Sequence, residues 1–93
     1  MTIEALNVIL SVCQITDLTG TNWSYPYTFL ARTDAELSLV CPTEAVPENV
    51  VQREDGWRAF RVCGPLDFSL VGILARIASV LAGEGISIFA LST

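Results

Sequence analysis

Apolar positions recur along this chain with two different periods, and the period tells strand from helix. Asn7 to Thr16, NVILSVCQIT, sets Val8, Leu10, Val12 and Gln14 on one side and Ile9, Ser11, Cys13 and Ile15 on the other. A run apolar on nearly both faces predicts a central strand. Asp17, Gly20, Asn22, Ser24 and Pro26 then predict a loop, in which Trp23 and Tyr25 are expected to form a lid over the core edge. The segment TFLARTDAELSLVCP predicts a hairpin: Tyr27 to Thr33, a turn at Asp34-Ala35, and a return strand Glu36 to Cys41 stopped by Pro42. TEAVPEN predicts one helical turn capped by Thr43 before Pro47. Val50 to Glu54 and Trp57 to Cys63 flank Asp55-Gly56, which predicts a second, two-residue hairpin.

After the break at Gly64-Pro65 the period changes. Leu70, Ile73, Leu74, Ile77 and Leu81 recur every three or four residues, giving the apolar stripe of a helix. Ser69, Gly72, Arg76, Ser79 and Gly83 form its small, polar face, and Gly83 or Gly85 supplies a left-handed stop. ISIFALS follows as an expected buried strand. A right-handed crossover would set this strand parallel to Trp57–Cys63 in one sheet.

Composition narrows what such a fold can do. The 93 residues are 52% hydrophobic and 16% charged, which rules out disorder and leaves an apolar excess for a partner to cover. All 5 basic residues are arginines, against 10 acids, for a net charge of -5. That balance argues against nucleic-acid and anionic-membrane binding. Lacking His and Lys, the chain cannot form a Ser-His-Asp triad, a Cys-His pair or a Schiff base. Cys13, Cys41 and Cys63 are odd in number and far apart in sequence, so they read as reduced thiols in a cytoplasmic protein. No secretory signal, membrane span, metal site or cofactor is expected.

The stretch GPLDFSLVGILARIASVLAGEGISIFALST resembles the ACT domain, a ferredoxin-like βαββαβ ligand-sensing module. The resemblance rests on Gly72-Ile73-Leu74-Ala75-Arg76-Ile77, on Leu81-Ala82 through Ile88, and on Leu91-Ser92-Thr93. Upstream, FLARTDAELSLVCPTEAVPENV and GWRAFRVCGPLDFSL are similar to small stand-alone bacterial proteins built of two ACT-like repeats, a group related to cytosolic amino-acid sensors. The resemblance implies an α+β fold of tandem ACT-type repeats, with an antiparallel-rich sheet and one long helix on one face. Residues 1–55 would form a degenerate first repeat, and residues 56–93 the strand–helix–strand half of a truncated second repeat. Family members continue past Thr93 with a strand, a helix and a last strand.

The resemblance further implies an amino-acid effector at the interface between two repeats and a homo-oligomer, most simply a dimer. Independently, amides at Phe68, Ser69, Leu70 and Val71 open a helix N-terminus, which favours a carboxylate. Asp67 suits an α-ammonium group, Gly72 allows close approach, and Ser87, Ile88 and Phe89 close the pocket from the following strand. Each also has a plain structural reading: Asp67 and Ser69 as helix caps, Gly72 as a packing contact, Ile88 and Phe89 as core. Three functional classes follow: a regulatory module that binds a small ligand, a structural or oligomerisation module without one, and, ranked last, an enzyme.

Overall fold

In the computed structural model, residues 2–63 and 69–88 are described, with side chains for 2–63 and 72–88. The chain divides into two compact units. Ile3–Val62 form one, and Cys63–Thr93 with the first two residues form the other. The first unit is a four-stranded sheet of order β2-β3-β1-β4, made of β1 (Thr2–Ile15), β2 (Phe29–Arg32), β3 (Leu37–Pro42) and β4 (Val50–Cys63). The second carries the helix α1 (Ser69–Gly83).

β1 and β3 pair antiparallel, with Ser11 opposite Cys41, Cys13 opposite Leu39 and Ile15 opposite Leu37. Because side chains alternate across a strand, these six residues share a face. Cys13, Ile15, Leu39 and Cys41 are the buried centre of the core, with Leu37, Ala45, Val46 and Val50 packed against them. The segment after β3 therefore caps one end of the sheet. A single 3₁₀ turn, Thr43–Ala45, begins that segment. Thr43 is its first residue rather than its cap, and the preceding Pro42 makes no side-chain capping bond.

Ser11 is fully buried, and polar. Its hydroxyl is satisfied by the Thr43 Oγ1 at 2.9 Å and by donation to the Asp55 carboxylate. With the Ser11 proton on Asp55, the one Thr43 proton serves the Ser11 contact, and the Ile9 carbonyl lies within its reach at 3.3 Å as the competing acceptor. One hydroxyl thus joins β1, the 3₁₀ turn and β4. Arg53 completes the cluster, its Nη2 lying 3.0 Å from Asp55 Oδ1.

The hairpin 29–42 forms as its alternation predicts. The turn is closed by Thr33 N–H donating to the Glu36 carbonyl at 2.9 Å, while the Thr33 hydroxyl accepts from the Ala35 and Glu36 amides. The second predicted hairpin does not form. β4 runs unbroken through Asp55-Gly56. Gly56 does adopt the left-handed φ of +83° that made Asp-Gly a turn signal. The strand absorbs it without reversing, and the face assignment switches there. Asp55 shares a side with Ser11, whereas Arg58 lines a cleft beside Asn7 and Ile9. These contacts also show that β4 runs opposite to β1. The reason for continuity is the 14-residue β1, beside which β4 is also 14 residues long.

Loop 16–28 is pinned at both ends. Asn49 Nδ2 donates to Thr16 Oγ1 at 3.2 Å and to the Asp17 carbonyl at 3.1 Å. Gly20 must be glycine for space, since a Cβ there would lie 2.8 Å from the Pro47 Cβ. At the other end Tyr27 holds a strained φ of 65°, and its hydroxyl accepts from Arg61 Nη2 at 2.6 Å. Trp23, expected as part of a lid, is instead 56% exposed. Aromatic rings in a polar loop need not pack when Asn49 and Arg61 already hold the loop.

The Ser11 bond sets a pH dependence. It and the Arg53 guanidinium hold the Asp55 carboxyl below its ordinary value. A depressed carboxylate pKa stabilises the fold above the unfolded value of about 4, and that contribution is lost as pH falls through the folded value. Ser11→Ala is expected to lower stability by about 1 kcal/mol at neutral pH and to flatten the loss of stability below about pH 4. Urea titrations of both proteins at several pH values check this.

Candidate functional site

The sequence-predicted site divides along the helix. Ser69, Leu70, Val71 and Gly72 make up the first turn of α1. Gly72 is exposed, and a Cβ there would meet nothing within 4 Å. Its tolerance for close approach therefore faces open space among the described residues, not a packed neighbour. Asp67, Phe68 and Phe89 lie outside the described residues.

Ser87 and Ile88 follow the opposite end of α1. The helix ends in a Schellman motif. The Ile86 amide donates to the Leu81 carbonyl at 2.8 Å and the Gly85 amide to the Ala82 carbonyl at 3.0 Å. Gly85 takes the left-handed φ of +71°, so it, not Gly83, is the terminating glycine. A 15-residue helix is about 22 Å long. The described chain thus leaves Ser87 and Ile88 one helix length from Ser69–Gly72. Residues 86–88 are exposed and not in a strand, with Ile86 at 52% and Ile88 at 42%. The expected buried strand is absent over these three residues, and its remainder lies outside the described residues.

Elsewhere, the Ile3–Val62 unit carries an open polar cleft of about 500 Å³ between loop 19–25 and segment 44–49, lined by Thr19, Asn22, Tyr25, Glu48 and Asn49 among others. Nearby, Thr21 Oγ1 and Asn49 Oδ1 are buried without a hydrogen-bond partner. Nothing in the one-dimensional pattern marked this cleft, because its walls are 19 or more residues apart. No group of three or more metal-ligating side chains occurs among the described residues. No described helix is long and apolar enough to cross a membrane.

Residues 52–93 match the family model described as the ACT domain. The chain thus carries an ACT-like segment over residues 52–93. The ACT match begins in β4, three residues before Asp55, and runs through α1. The fold is similar to that of the crystal structure of protein Atu0741 from Agobacterium tumefaciens. That protein is 29% identical, with a TM-score of 0.81, covering 98% of this chain and 69% of Atu0741. No curated protein matches. An ACT domain points in general to regulatory binding of a small molecule.

The thiols fit no catalytic or redox arrangement among the described residues. Cys13 and Cys41 are buried and free, and Cys63 is half-buried. Desolvation raises the Cys13 thiol above its ordinary value and pushes Cys41 up to about 11. The thiolate is the reactive form, so both stay inert at neutral pH. Native protein treated with iodoacetamide at pH 7.5 is expected to alkylate first at Cys63. Peptide mass spectrometry reads the order, and early modification of Cys41 would contradict the core described above.

Proposed function

We propose that this protein is a non-catalytic regulatory module whose ACT segment binds an amino acid at an interface between ACT repeats. The observation that carries this is the ACT match across β4 and α1, joined by the open Gly72 on the first helical turn. In this reading the amides of Phe68, Ser69, Leu70 and Val71 receive the α-carboxylate. Asp67 receives the α-ammonium, Gly72 leaves room for the ligand, and Ser87, Ile88 and Phe89 form the facing wall. Because Ser87 and Ile88 lie one helix length from the first turn, the facing wall belongs to a neighbouring repeat. That requirement supports a homo-oligomer, with a dimer the simplest arrangement. Exposed Val80 at 68% and Ile86 at 52% supply apolar surface for such an assembly.

Gly72→Ala separates ligand binding from architecture. An exposed helix-interior glycine replaced by alanine should raise stability by roughly 1 kcal/mol. A ligand that approaches the backbone there should lose its binding at the same time. The expected outcome in thermal-shift measurements over the twenty amino acids is a shift for one or a few in the native protein. In Gly72→Ala a higher melting temperature and no shift are expected. An unchanged ligand shift in both Gly72→Ala and Asp67→Ala would remove the loop site. A flat panel with concentration-dependent association would favour a purely structural module.

A further inference from the structure

A second cleft, of about 310 Å³, opens on the sheet in the Ile3–Val62 unit, and its walls carry opposite charges. It is lined by Asn7, Val8 and Ile9 of β1, Glu44 of the 3₁₀ turn and Arg58 of β4. β1 forms the floor. Glu44 is placed by its neighbour Thr43, whose hydroxyl lies 2.9 Å from the Ser11 hydroxyl and 3.3 Å from the Ile9 carbonyl. Arg58 is placed by the face switch at Gly56, which turns it to the same side as Asn7 and Ile9. Among the described residues neither Arg58 nor Glu44 enters an ion pair or a side-chain hydrogen bond; the ion pair there joins Arg53 to Asp55. A guanidinium and a carboxylate therefore line one cleft without reaching each other. Ile9, 52% exposed, adds apolar surface, and Phe60, 45% exposed, follows two residues along β4 on the face of Arg58.

We propose that this cleft is a binding site for a small zwitterion with an apolar body, its carboxylate on Arg58 and its ammonium group on Glu44. The planar guanidinium fork matches a carboxylate in two parallel N–H···O bonds. The Glu44 carboxylate accepts from the ammonium, and the Asn7 amide offers both a donor and an acceptor. The volume lies at the small end of ordinary ligand sites, which suits a molecule of amino-acid size. Both charges are exposed, so the interaction weakens as salt screens it. This site is separate from the helix-turn site above. The inference rests on the ligand class of that reading and not on its residues.

The test is an NMR titration of the amide spectrum with L-leucine, whose side chain suits Ile9 and Phe60. N-acetyl-L-leucine, without the ammonium, and L-leucinamide, without the carboxylate, serve as paired probes. Shifts are expected to cluster at Asn7, Val8, Ile9, Glu44 and Arg58. Affinity should fall at least tenfold for either analogue, and likewise for Arg58→Gln and Glu44→Gln, while Asp67→Ala leaves these shifts in place. Both substituted side chains are exposed, and the dispersion of each variant's spectrum verifies its fold. Shifts confined to residues 69–72 and 87–88, unaltered in Arg58→Gln, would overturn this site and leave the helix-turn site standing. No shift at millimolar L-leucine, or equal affinity for L-leucinamide, would overturn it as well. The helix-turn site would then be judged by the twenty-amino-acid panel alone.

Discussion

A buried hydroxyl has to find partners, and the Ser11 hydroxyl sets the arrangement of the sheet unit. Left unpaired at zero exposure it would be costly. Paired, it fixes three segments remote in sequence: β1, the turn that follows β3, and the middle of β4. Each bond has a consequence elsewhere. The Thr43 contact holds the 3₁₀ turn against β1, so that Ala45, Val46 and Val50 cover Cys13, Ile15, Leu39 and Cys41. The Asp55 contact brings β4 alongside β1 at the point where Gly56 changes its facing side. Arg53 and Asp55 pair with each other beside Ser11, while Arg58 lines the cleft.

The two units differ in how they are held. The sheet unit has a dry centre made by β1 and β3, and its loops are secured by Asn49 and by the Arg61–Tyr27 contact. In α1, none of the described side chains is fully buried. Helices of this length draw most of their stability from packing an apolar face. The stripe of Ile73, Ile77 and Leu81 is only half-covered, and Val80, Ile86 and Ile88 are open. The ACT match thus covers most of β4, which has no buried residue, and a helical segment with apolar surface left over.

Much of this was legible in the residues because the signals were local. Hairpin 29–42 announces itself by alternation around Asp34-Ala35, and α1 by its three-and-four spacing. The helix stop needed a glycine in the left-handed region, and only the hydrogen bonds to Leu81 and Ala82 distinguish Gly85 from Gly83. Asp55-Gly56 misled because a turn signal describes what a dipeptide can do alone. Beside a 14-residue neighbour, the ladder bonds of an unbroken strand outweighed the reversal. Trp23 misled because hydrophobicity alone does not show whether a loop has anything to cover. The clefts were invisible for a third reason: Arg58, Glu44 and Asn7 come together only through the register of β4 on β1 and the Thr43 tie. The helix-turn residues, by contrast, were found through family resemblance, and the described part of the fold joins only Ser69 to Gly72 among them.

Native-state hydrogen exchange, followed residue by residue, tests most directly whether the β1–β3 ladder around Ser11 holds the fold. Amides there should open only with global unfolding, whereas those of a half-covered helix should open at lower free energy. The slowest exchange is expected in Ser11–Ile15 and Leu39–Cys41, with α1 exchanging measurably faster. Protection of α1 equal to or greater than that of β1 and β3 would contradict this account and move the stabilising centre to the helical unit.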